Sequence, residues 1–179
     1  MMGAGSGLFC SFSHHTQFAR RDKETFLRGA NDSLSKASAS WKKASRVLIT
    51  LGTAWIYEYS RTGQTVSNCL KLDPSMFTRK RLGVKEIAAI LGGMVQRYPD
   101  KKFLFTVSPI RHFKDGAHGN QLSKSVLLLA VEEVVDAFPD YCDYFPAYEI
   151  VMDELRDYRF YASDLLHPSE VAVDIQIGR

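Results

Sequence analysis

The chain has 179 residues, of which 45% are hydrophobic and 24% charged, and a formal net charge of +3. That composition fits one globular domain whose core stands without disulfide or metal staples. The charge is mild and the basic residues are scattered, apart from Arg20-Arg21 and Arg79-Lys80-Arg81, which argues for solvated faces rather than a nucleic-acid binder.

In chain order, the amino terminus "MMGAGSGLFC" has neither the positive nor the apolar region of a signal peptide. Its glycine-rich residues, within 1–10, are expected to be disordered. Phe26, Ala30, Leu34, Ala37 and Trp41 recur at helical spacing and predict a helix between Asp22 and Ala44. "RVLITL", Arg46 to Leu51, is apolar and rich in β-branched residues, predicting a buried strand stopped by Gly52. Ala54 to Tyr59 and Thr65 to Leu70 flank "SRTGQ", the pattern of a β-hairpin turning at Gly63.

Val84, Ile87, Ala88, Leu91, Val95 and Tyr98 predict a second helix closed by Pro99. "KFLFTV", Lys102 to Val107, reads as a second strand ended by Ser108-Pro109. Leu127, Val131, Val134, Val135 and Phe138 mark a third helix. Asp143 to Met152 reads as a strand made irregular by Pro146, and Pro168 to Ile177 as a last helix with Pro168 at its first position. The longest mostly apolar run, Val126 to Val131, is far too short to span a bilayer. Cys10, Cys69 and Cys142 are odd in number and widely spaced, which fits free thiols in a reducing, cytoplasmic setting.

Alternation of strands and helices predicts an α/β fold, a single domain over residues 1–179 with a parallel sheet between helices. In such folds the chemistry gathers in loops leaving the carboxyl ends of the strands. Here those are Gly52 to Trp55, Ser108 to His112, and the segment leading to "DLLHPS". Asp164 and His167 stand three apart there. An imidazole base needs a carboxylate to fix its tautomer, and that separation allows it. The plainer alternative is a turn-capping Asp and a helix-entry His.

Other candidates have plain readings too. "RHFKDG" gathers Arg111 and His112 with Lys114, either to hold an anionic or acyl-bearing substrate or as a solvated loop. "DELRDYRFY" either walls a pocket or packs Leu155, Tyr158 and Tyr161 inward on a helix. Ser108 and Cys69 are weighed as nucleophiles against a turn residue and a small buried hydrophobe. No HExxH or CxxC spacing occurs, so no metal and no cofactor are expected.

"DLLHPS" is similar to the closing block of SGNH (GDSL-like) hydrolases, and "ITLGT" resembles their GxND strand-end block. A longer likeness runs through "SFSHHTQF", "LITLGTAWIYE", "VSNCLKL", "FTVSPIRHFKDG", "NQLSKSVLLLA" and "YFPAYEIVMDELRDYRFY". These segments, in this order, resemble the GSCFA family, a bacterial branch of the SGNH-like superfamily. The resemblance implies a three-layer, flavodoxin-like α/β/α fold with a hairpin insertion. It also implies a serine nucleophile from the GSCFA motif, with His167 as base and Asp164 as its orienter. Gly52 fits the oxyanion position. Ala54 and Trp55 replace the usual asparagine, so Asn68 is the candidate second donor, against ordinary hairpin bonding.

No GSCFA motif is present, and Ser6 in "GAGSG" has no strand before it to form an elbow. The expectation is therefore a truncated domain without its first strand, with a sheet edge exposed at "VLITL" that favours self-association. Two functions follow. One is a hydrolase of small-molecule or glycan esters, inactive or incomplete in this chain. The other is a non-catalytic remnant or ligand-binding domain.

Overall fold

The computed structural model describes residues 2–4, 7–70 and 72–178. In chain order the elements are β1 (Met2–Ala4), β2 (Leu8–Cys10), α1 (Lys23–Lys43), β3 (Arg46–Leu51), β4 (Trp55–Tyr59), β5 (Gln64–Val66), β6 (Phe77–Arg81), α2 (Val84–Arg97), β7 (Lys102–Val107), α3 (Gly116–Ala137), β8 (Cys142–Tyr144), α4 (Ala147–Glu149) and α5 (Glu170–Ile177). They divide into two compact units, one formed by Met1–Ala44 with Trp55–Arg81 and the other by Ser45–Ala54 with Leu82–Arg179.

In the first unit, β1 pairs antiparallel with β2, within the stretch expected to be disordered. α1 starts where Asp22 accepts the Thr25 N–H at 2.7 Å and ends on Lys42 and Lys43, both favourable to the helix dipole. The predicted hairpin is β4–β5, turning at Gly63 with φ +67°. β5 stops at Val66, short of the predicted Leu70, and β6 adds a third antiparallel strand on the other side of β4. Arg79 sits 4.1 Å over the Trp55 ring, so part of the basic cluster read as a solvated face is stacked on an aromatic.

The second unit holds the parallel sheet, in the order β3-β7-β8, with flanking helices. β7 is its centre. Phe105 and Val107 are fully buried, and Phe103 stacks on Phe105. Burying side chains of that size contributes about 1.5–3 kcal/mol each. α2 and α3 pack together, and a Cβ on Gly92 of α2 would come within 3.3 Å of the Phe138 ring, so a larger residue there would push the ring away.

Four expectations are corrected here. β3 is not buried: it lies at the edge of its sheet among the described residues, and Leu48 is 64% exposed. The strand expected from Asp143 to Met152 is three residues long. Pro146 then opens α4 and a π-helical turn, Ile150–Glu154, which bury Tyr148, Ile150 and Val151. The last helix begins after Ser169, whose Oγ accepts the Ala172 N–H, and not at Pro168, which instead bridges to Tyr161. Leu155 is buried as expected, but Tyr158 lies in a 3-10 turn and is 78% exposed.

Candidate catalytic site at the strand ends

β3 and β7 run in register, Leu51 opposite Val107, and Ser108 N donates to Leu51 O at 2.9 Å, so the two strands end together. Their exit loops are held by one face of α3. Asn120, Ser123 and Lys124 fall at helical spacing and are 8%, 2% and 0% exposed. Asn120 Oδ1 accepts the His112 N–H at 3.0 Å. Ser123 Oγ accepts the Ala54 N–H at 2.8 Å and bonds Thr53 Oγ1 at 3.1 Å. Lys124 Nζ donates to both Gly52 O and Ser108 O at 2.6 Å. Burial pulls this ammonium down to about 8, from its ordinary 10.5. Gly52 lies against His112, whose Nε2 would be 3.8 Å from a Cβ placed there.

Asp164 and His167 form a self-contained loop. Its base is closed by Ala162 N to His167 O and Ser169 N to Phe160 O. Asp164 Oδ1 accepts the Leu166 and His167 N–H groups at 2.9 and 3.0 Å, while Oδ2 lies 2.5 Å from His167 Nδ1. To curl this tightly, Leu165 takes φ +58°, a left-handed conformation unfavourable for a leucine. The His167 backbone N–H, then its ring, then the Leu166 N–H hold the Asp164 carboxyl down at about 2. An ionised carboxylate only accepts, so Nδ1 carries the proton, and in the neutral ring the lone pair is then on Nε2. The His167 side chain is 57% exposed.

Two cavities join this loop to the strand ends. One, of about 340 Å³, is lined by Arg111, His112, Gln121, Tyr148 and Met152 among others. The second, of about 260 Å³, shares Arg111 and Met152 and reaches Arg156, Tyr161 and Leu165. Leu165 of the Asp164–His167 turn thus lines the second cavity, while His112, which lies against Gly52, lines the first.

Of the residues singled out from sequence, Asp164 and His167 are brought together, and Gly52, Ser108, Arg111 and His112 cluster at the strand ends. Ser108 Oγ accepts the Ile110 N–H at 3.2 Å, which is turn bonding. Asn68 belongs to the first unit. Its Nδ2 donates to His14 O and its Oδ1 accepts the Leu70 N–H, beside a different cavity lined by His14, His15 and Ser67. Cys69 is half-buried, and Cys10 and Cys142 are buried. Ser6 lies outside the described residues. Among the described residues no group of His, Cys, Asp and Glu is arranged to hold a metal ion, and no helix is long and apolar enough to cross a membrane.

The sequence reading missed Ser123 and Lys124. The signal was there: Lys124 shares an apolar stripe with Leu127 and Val131, and a charge on such a stripe needs a partner.

The family model described as the GSCFA family matches residues 2–179. No curated protein and no solved structure matches the chain.

Proposed function

The chain belongs to the GSCFA family, and on that premise we propose that Asp164 and His167 are the proton-accepting half of an SGNH-type ester hydrolase site. The observation that carries this reading is the 2.5 Å pairing of Asp164 Oδ2 with His167 Nδ1 in a half-exposed loop. Asp164 fixes the ring so that Nε2 is the atom that takes a proton from an attacking hydroxyl. The same nitrogen returns that proton to the departing alkoxide. Gly52 supplies the strand-end position at which an oxyanion donor is needed. The substrate class is a small-molecule or glycan ester.

The 179 residues contain no GSCFA motif, so the serine that the family resemblance implies is not among them. We expect slow turnover of a short-chain nitrophenyl ester by this chain, no stoichiometric labelling by a fluorophosphonate, and loss of the residual turnover in His167→Ala. Turnover that survives His167→Ala contradicts the base assignment. Full labelling of one serine contradicts the absence of a nucleophile. The second reading, a ligand-binding domain, is favoured by the two cavities at Arg111, which require no nucleophile.

A further inference from the structure

We propose that the paired cavities at the strand ends hold an oxyanion, a carboxylate or a phosphate group, gripped by Arg111 and Arg156. Arg111 lines both cavities and Arg156 lines the second. Among the described residues, no carboxylate forms an ion pair with either guanidinium. The one acidic residue in the lining, Asp157, is turned to its own 3-10 turn: Oδ1 accepts the Arg159 N–H at 3.1 Å and Oδ2 lies 3.5 Å from Arg159 Nε.

The neutral polar groups point the same way. Asn120 Oδ1 is occupied by the His112 N–H, and Gln121 Oε1 accepts from Tyr148 OH at 2.9 Å. Both carboxamides therefore spend their acceptor inside the protein and leave their NH₂ donors for an occupant. Two guanidinium groups and two carboxamide donors, with both carboxamide oxygens engaged, suit an anion. A guanidinium fork also matches the geometry of carboxylate and phosphate oxygens.

That the anion is part of an ester substrate rests on the hydrolase reading. Its binding here does not. Leu165, from the turn that carries Asp164 and His167, lines the same cavity as Arg156, so an anion held there sits beside the base loop. The substrate class this points to is an ester that carries a second, acidic group.

The test is calorimetric titration of the full chain with inorganic phosphate and, separately, with acetate, at low ionic strength. Wild type is compared with Arg111→Gln, Arg156→Gln and Arg46→Gln. Arg46 begins β3, at the opposite end of the strands, and controls for lost net charge. Arg111 and Arg156 are both exposed, so their replacement leaves the core intact, and matching melting curves check this. We expect saturable binding of at least one anion, weakened about tenfold or more by Arg111→Gln and by Arg156→Gln and unchanged by Arg46→Gln. The anion that binds identifies the acidic group. Binding of neither anion, or equal weakening in all three variants, overturns the proposal. The titration reads no hydrolysis, so failure of the ester reading leaves its outcome untouched.

Discussion

Two charged centres serve the same end of the sheet in opposite ways. Lys124 is fully buried, is bonded to no carboxylate among the described residues, and holds two backbone carbonyls. The Asp164–His167 pair is half-exposed and built within one loop. The difference is one of role. A buried ammonium costs desolvation but fixes where the strands end. An exposed, pre-oriented imidazole contributes little to folding but keeps a nitrogen available for proton transfer.

Removing Lys124 should have the largest effect. Lys124→Ala leaves Gly52 O and Ser108 O without their donor and opens a void under both loops, for a loss of about 3–5 kcal/mol. Asp164→Asn, measured in the same denaturant series, should shift the midpoint too little to resolve. Equal losses would dissolve the distinction between the two centres.

A sharper version uses pH. Folding lowers Lys124 from 10.5 to about 8. Between those values the unfolded chain holds more protons, so stability should rise as pH rises from about 8 to 10.5. The shift corresponds to about 3 kcal/mol. Lys124→Met, which removes the charge and the donor but keeps the bulk, should flatten that rise and cost less near pH 7 than Lys124→Ala by the void it does not open. A rise that persists in the methionine variant would assign it to another group.

The smallest effect lies at acid pH. Asp164 is held down at about 2, so its contribution is present above its ordinary 3.8 and lost as pH falls toward 2. The Leu166 and His167 amide resonances should move together in that window, while those of β7 stay fixed. If they titrate independently, one carboxylate does not hold both.

How far the sequence reveals this molecule depends on whether a signal is local. The bounds of β3 and β7 were legible because each is a short apolar run with its own stop, Gly52 or Ser108-Pro109. α1 was legible from its periodicity, and the structure adds Asp22 as its cap. β6, "FTRKR", was hidden because its arginines read as solvent-facing, whereas Arg79 stacks on Trp55 across the sheet. The short β8 was overextended because "YEIVM" carries β-branched residues, but Pro146 starts a helical turn there. Tertiary context overrode propensity in both cases. Within the site, Asp164 and His167 could be found because they stand only three positions apart. Lys124 joins Gly52 to Ser108 across 72 and 16 residues, a connection that exists only in three dimensions.

The most direct test of the account is the tautomer of His167, read from nitrogen chemical shifts and two-bond couplings to the ring protons. The account predicts that the neutral ring carries its proton on Nδ1, with Nε2 bare, and that this preference is lost in Asp164→Asn. A ring protonated at Nε2, or a preference indifferent to Asp164, would contradict it.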